Sequence, residues 1–182
     1  MPMSGCRCED ALVAAQRERV TNPPGVVVGV APAIRVANKA IIVRDEHLLV
    51  TVNSGHFGTF YLCPGGGQEH GEDAHEALRR ECREEIGCDV EVGDFAFFRD
   101  YIAADHEFAE NDGEHHQQEA YFFCLLAAGV EPRLTDDADR WQTGVAWIPV
   151  DRLASEPLWP KALAPWLMTP EENRDRYLGN VN

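Results

Sequence analysis

The sequence predicts an α/β fold: a mixed sheet covered by helices. Three observations predict it. Strand-like runs at 34–44, 48–53 and 59–63 come first, one strongly patterned helix follows, and more strands and a late helix complete the order. The near-continuous apolar run Ala40-Ile41-Ile42-Val43 predicts a central strand buried on both faces. Between Asp73 and Gly87, Leu78, Cys82 and Ile86 recur at i, i+4 and i+8, so one side of a helix there must pack.

The elements follow in chain order. Residues 1–30 form an extension, with a short helix expected at 9–20 and a break at Asn22-Pro23-Pro24-Gly25. The domain spans 31–170. Asp45-Glu46-His47 turns the chain between the first two strands, and 59–63 leads into Pro64 and the glycine loop Gly65-Gly66-Gly67. Asp73 with Glu76 three residues later imitates a capping box, and Gly87 provides the residue that most readily ends a helix left-handed. One or two strands lie in 88–104, where Phe95, Phe97 and Phe98 are core candidates. The segment 105–118 reads as a polar, acidic loop, with Glu119 opening an apolar strand that runs to 128. Another strand occupies 144–149. Trp159, Leu163 and Trp166 stand at helical spacing, but Pro165 would break a single helix into two turns. Residues 171–182 read as a polar, loosely held tail.

Composition bounds the function. A formal net charge of −15 opposes nucleic-acid polyanions, which need lysine and arginine to bind them. It does not oppose a small phosphorylated ligand, because a bound metal ion supplies local positive charge. The six cysteines show no paired zinc spacing and read as reduced thiols. No secretory signal and no membrane span is evident, so a cytoplasmic location is expected.

The chemistry lies in the helix and the loop before it. At about 100° per residue, Glu81, Glu84 and Glu85 fall on one edge beside the apolar stripe. Like charges at i, i+4 cost an isolated helix roughly 0.2–0.5 kcal/mol. A hard divalent cation would reverse that sign. The competing reading is a solvated helix held by pairs such as Glu76–Arg80 and Arg80–Glu84. The spacing decides between them: Gly66, five residues, Glu72, seven residues, then Arg80-Glu81-Cys82-x-Glu84-Glu85-x-Gly87-Cys88. This segment resembles the Nudix box of the MutT-like hydrolases at every charged and glycine position. Cysteine replaces the usual aliphatic residue at Cys82 and Cys88.

The resemblance implies a Nudix-fold sandwich over roughly 34–168 and a hydrolase that cleaves the pyrophosphate bond of a nucleoside diphosphate linked to another group. It implies Mg²⁺ as cofactor, with Mn²⁺ as the alternative ion, held by Glu81, Glu84, Glu85 and a carbonyl of Gly65 or Gly66. Arg80 would orient the carboxylates through Glu72 or Glu84. Glu84 is a candidate base, and Glu119 is a candidate extra metal ligand or base, whose competing reading is a solvent-facing carboxylate at a strand end. Glu107, Glu110 and Glu114 are weaker alternatives, and His115–His116 reads as a solvated loop pair. Arg35 and Arg44 could reach phosphate or serve as surface ion pairs. Phe57, Tyr61, Tyr101 and Trp141 could stack on a base, though core packing accounts for each. The alternatives are a nucleoside triphosphate-cleaning hydrolase, a non-catalytic nucleotide sensor, and an isomerase of the same fold hinted at by Cys63. Family members are often homodimers. The sequence leaves the physiological substrate open.

Overall fold

The chain passes between two sheets at Ile42, and this crossing organises the domain. The computed structural model describes residues 33–55, 58–107 and 109–182. The expected extension helix, Cys6, Cys8 and Phe57 lie outside the described residues.

Strand β1 (Arg35–Ile41) belongs to a four-stranded sheet with β6 (His116–Leu126), β5 (Val90–Ile102) and β9 (Tyr177–Asn180), in the order β1-β6-β5-β9. Its pairings are mixed: β1 with β6 and β5 with β9 run parallel, while β5 and β6 run antiparallel. The second sheet joins β2 (Val43–Arg44), β3 (His47–Gly55), β4 (Gly58–Leu62), β7 (Gln142–Pro149) and β8 (Leu158–Trp159), with β2 and β4 on one edge of β3 and β7 on the other. Two mixed sheets therefore replace the single one expected, because the apolar run 40–43 is not one strand. Ala40, Ile41 and Ile42 are buried while Val43 is exposed. Nor is β1 central. Its second edge is covered by the glycine loop, which runs beside it through Asn38 N to Gly66 O (2.9 Å), Ala40 N to Pro64 O (2.8 Å) and Gln68 N to Val36 O (2.9 Å).

Two apolar clusters hold the layers together. Ile41, Phe97 and Tyr121 of the first sheet meet Leu48, Val50, Ile148 and Leu158 of the second, with Leu163 and Trp166 closing one side. On the opposite face of β1, Ala40, Ile42, Phe122 and Cys124 pack against Leu78, Cys82 and Ile86 of helix α1 (Ala74–Ile86). The stripe read from the sequence is therefore the buried face, and burying a side chain such as Leu78 or Ile86 contributes roughly 1.5–3 kcal/mol. The described cysteines Cys63, Cys82, Cys88 and Cys124 are all free and buried, and burial pushes the Cys63 thiol up to about 12.

Several expectations are corrected. The first turn is tighter than Asp45-Glu46-His47: Asp45 and Glu46 alone turn it, both with positive φ, and His47 pairs with Arg44. Of the one or two strands expected in 88–104, the structure has one, long and bulged. The acidic loop is shorter than 105–118 and contains helix α2 (Ala109–Asp112); β6 starts at His116, so Glu119 lies inside a strand and is buried rather than solvent-facing at its end. Trp159 is in β8, and only helix α3 (Leu163–Met168) is helical there. Pro165 is accommodated in its first turn, where backbone N–H groups have no partner within the helix. The tail is not loose, since its residues 177–180 form β9 and Tyr177 Oη donates to Asp100 Oδ2 (2.8 Å). Among the described residues no helix is long and apolar enough to cross a membrane.

Candidate active site

Helix α1 is fixed at both ends. At its start Asp73 Oδ1 accepts the backbone N–H groups of His75 (2.9 Å) and Glu76 (2.8 Å), while the Glu76 carboxylate accepts Asp73 N–H (2.9 Å). Glu76 therefore completes the capping box instead of pairing with Arg80. At its end Gly87 turns left-handed with φ 65°. All four terminal carbonyls find donors: Arg83 O takes Gly87 N–H (3.2 Å), Glu84 O the Thr135 hydroxyl, Glu85 O the Gln142 side-chain amide (2.7 Å), and Ile86 O Arg133 N–H (3.0 Å). The rotation of the helix, and with it the direction of Glu81, Glu84 and Glu85, is set by these anchors and by the buried stripe.

Arg80 is the hub of the exposed edge. Its Nε and Nη2 grip both oxygens of Glu72 (2.8 and 3.0 Å), Nη1 donates to Glu81 Oε1 (2.9 Å) and Glu84 Oε2 (3.2 Å), and Nη2 also reaches Gly67 O (2.8 Å). Only a planar fork can serve so many acceptors at once. The Arg80 bonds, helped by Glu69 N–H, lower the Glu72 carboxyl to about 2.

The glycine loop meets the carboxylates directly. Gly65 N–H donates to Glu85 Oε2 (2.7 Å). A Cβ added at Gly66 would stand 2.4 Å from Glu81 Oε2, so the close approach of loop to carboxylate requires glycine there. The sequence reading missed Lys39, a buried lysine in β1 whose ammonium donates to Gly65 O. Its one signal was a charge within the apolar run 37–42. Burial drives the Glu85 carboxyl up to about 7; Lys39 and Gly65 N–H pull it down, while Glu81 and Asp139 push it further up.

These residues fit a hard divalent cation. The donor set is all oxygen, and Glu81 Oε2, Glu84 Oε1 and Glu85 Oε1 accept no hydrogen bond from the described residues. In this arrangement Arg80 and Lys39 provide the positive charge, and among the described residues no three acidic, histidine or cysteine side chains converge on one point.

The other candidates lie elsewhere. Both Glu119 oxygens are engaged: Oε2 accepts Arg99 Nε (2.6 Å) and Tyr121 Oη (2.7 Å), and Oε1 accepts Gln117 Nε2 (2.6 Å). Burial raises its carboxyl, but the Arg99 and Lys39 charges and the Arg99 and Tyr121 bonds outweigh it and leave it below the ordinary value. Glu107 pairs with Lys161, while Glu110 and Glu114 are exposed. His116 stands 3.7 Å from Asp100, and the His115 ring lies beside Tyr101. Arg44 pairs with Glu131 and covers Trp147. Tyr61 packs on the core and Tyr101 is buried, whereas Trp141, expected in the core, is 46% exposed under Arg140.

Comparison with known proteins agrees with this geometry. The NUDIX domain family model matches residues 34–169. No curated protein sequence matches the chain. Among solved structures, the chain is similar to a MutT NUDIX hydrolase from Burkholderia pseudomallei, with 24% identity and a TM-score of 0.57 over 73% of this chain and 96% of that one. It is also similar to an ADP-ribose pyrophosphatase from Streptococcus suis, with 16% identity and a TM-score of 0.52 over 82% and 100% of the two chains. A UDP-X diphosphatase shares 16% identity at a TM-score of 0.58, over 96% of this chain and 76% of that one.

Proposed function

The chain belongs to the Nudix family of hydrolases acting on phosphorus-containing anhydrides, and from that premise we propose that it cleaves the pyrophosphate bond of a nucleoside diphosphate joined to a second group, with Mg²⁺ or Mn²⁺ as cofactor. The observation that carries this reading is the set of three carboxylates beside the glycine loop, each keeping one oxygen free of donors from the described residues. Two similar structures, the ADP-ribose pyrophosphatase and the UDP-X diphosphatase, favour the diphosphate-linked class.

Glu81, Glu84 and Glu85 would hold the cation. Both loop carbonyls already accept one donor, Gly65 O from the Lys39 ammonium and Gly66 O from Asn38 N–H, so either would offer the cation its second lone pair. When bound, a divalent cation neutralises charge on the pyrophosphate and lowers the pKa of an attacking water. Arg80 keeps Glu81 and Glu84 in register by tying both to Glu72. Glu84, whose side chain is 40% exposed against 16% for Glu81, is our general base. Glu119 is assigned to positioning rather than proton transfer, since both its oxygens are engaged inside the sheet.

A panel of nucleoside diphosphate esters, triphosphates and dinucleoside polyphosphates, assayed with Mg²⁺ and with Mn²⁺ and read by product analysis, tests the reading. The expected product is a nucleoside monophosphate plus the phosphorylated second group. Glu85→Gln should lower turnover by about 10²–10³-fold with an unchanged melting curve. Retained turnover in that variant, or activity on triphosphates alone, would overturn the proposal.

A further inference from the structure

We propose that Lys39 is a resident counter-charge of the carboxylate site: it balances Glu85 while no divalent cation is bound, and it thereby limits how tightly that cation is held. The inference rests on the cation-dependent hydrolase reading above and assigns the residue that tunes its ion.

The position of Lys39 is unusual for its residue type. It is one of two lysines in the chain, and it is 8% exposed in the middle of β1. An ammonium taken out of water is costly unless an opposite charge faces it. The other lysine, Lys161, is exposed and pairs with Glu107.

Alternation along β1 sets where Lys39 points. Ala40 and Ile42 face helix α1, so Lys39 leaves the strand on the opposite face, with Ile41. Glu85 comes from the helix side. The two meet at the edge of the strand, through the glycine loop: the ammonium donates to Gly65 O, and Gly65 N–H donates to Glu85 Oε2 (2.7 Å). Only glycine fits between them, since a Cβ added at Gly65 would stand 2.2 Å from Asn38 O and 3.0 Å from Lys39 Cα.

The charge opposite Lys39 narrows to one carboxylate. Glu119 shares its face of the sheet, but Arg99, Tyr121 and Gln117 occupy both Glu119 oxygens. Glu72, Glu81 and Glu84 are gathered by Arg80. Glu85 makes no arginine contact among the described residues. Burial raises its carboxyl, and Lys39 is the charge that opposes the rise.

The link between Lys39 and Glu85 is indirect, and this leaves room for an ion. Lys39 makes no direct ion pair with a described carboxylate, and Glu85 Oε1 accepts no hydrogen bond from the described residues. A direct lysine pair would cover the oxygens a cation needs. An ammonium held one residue away supplies charge and leaves them open. The same fixed charge repels an arriving divalent ion across a poorly screened interior. One side chain therefore holds the empty site together and weakens the filled one.

The test uses the full chain, without substrate, in EDTA and with Mn²⁺ alone, at about pH 8 so that protons compete little for Glu85. Lys39→Gln removes the charge but keeps a donor for Gly65 O, and Lys39→Met removes both. In each variant the Mn²⁺ dissociation constant, read from the electron paramagnetic resonance of free Mn²⁺, should fall by roughly 10-fold. In EDTA both should melt below wild type, and saturating Mn²⁺ should raise their melting temperatures by more than it raises that of wild type. Lys161→Gln removes the other lysine and should leave Mn²⁺ affinity unchanged. A Lys39→Gln chain that folds only with Mn²⁺ would support the inference, and one that folds in neither condition would overturn it. Unchanged or weaker Mn²⁺ binding in Lys39→Gln, or an equal gain in Lys161→Gln, would overturn it while leaving the cation site standing. A wild type that binds no Mn²⁺ would overturn both this inference and the functional reading.

Discussion

Two arginines, Arg80 and Arg99, each sit at the centre of a carboxylate network, and the networks differ in what they can give up. Arg80 shares its bonds among Glu72, Glu81 and Glu84 on a partly exposed helix edge, where each of Glu81 and Glu84 keeps an oxygen without a donor. Arg99 and Glu119 face each other inside the first sheet, with both side chains 6% exposed and both Glu119 oxygens engaged. The first network can exchange an arginine contact for an arriving cation at little cost in desolvation. The second cannot, because a buried charge that loses its partner has no water to replace it. The same pair of residue types therefore serves chemistry in one place and architecture in the other.

Breaking the buried pair should have the largest effect on stability. Arg99→Met should cost roughly 3–5 kcal/mol by chemical denaturation, and the double variant Arg99→Met with Glu119→Leu should cost less than the single one. Equal losses in the two would show that the charge pairing is not what matters. An intermediate effect is expected at the exposed hub. Glu72→Gln loosens the bidentate grip on Arg80 and should lower turnover or Mn²⁺ affinity by roughly 10–100-fold, with the denaturation midpoint nearly unmoved. A fall in stability comparable to that of Arg99→Met would erase the contrast.

The smallest effect sharpens it from a third position. Hydrogen bonding from Tyr177, assisted by Gln118 and His116 and opposed by burial, holds the Asp100 carboxyl below its ordinary value of 3.8. A depressed carboxyl stabilises the fold above the unfolded-state pKa, and this contribution is lost as pH falls through the folded-state value. Tyr177→Phe should therefore be slightly less stable than wild type near neutrality, with the difference shrinking as pH drops below about 4. A difference independent of pH would show that the hydroxyl acts otherwise than through the Asp100 charge.

Much of α1 was legible because its determinants are local. The cap at Asp73 and Glu76, the stripe at Leu78, Cys82 and Ile86, and the stop at Gly87 all lie within one short segment. The box spacing likewise implies Gly65, Gly66, Glu81 and Glu85 as neighbours, and the loop does meet both carboxylates. What stayed hidden depends on distant partners. Thr135 and Gln142, which bond the carbonyls of Glu84 and Glu85, are 51 and 57 residues away. The register that lines up Arg35 with Gln117 depends on a parallel pairing that no short window encodes. Lys39 and Glu119 were misjudged or missed for the same reason: a charged residue inside a strand is stable only through companions from other strands. The division of the apolar run at Ile42 was invisible because both sheets bury the same kind of side chain.

The glycine loop beside β1 has a consequence for handling the protein as well as for its chemistry. A bare strand edge is a template for another chain, and this one is shielded by 64–68 running along it. Because the same five residues also cradle the acids, damage to the loop uncovers the template at the moment it disables turnover. Loss of activity from loop lesions should thus arrive together with self-association, and a variant library screened for solubility alone would already be enriched for intact sites.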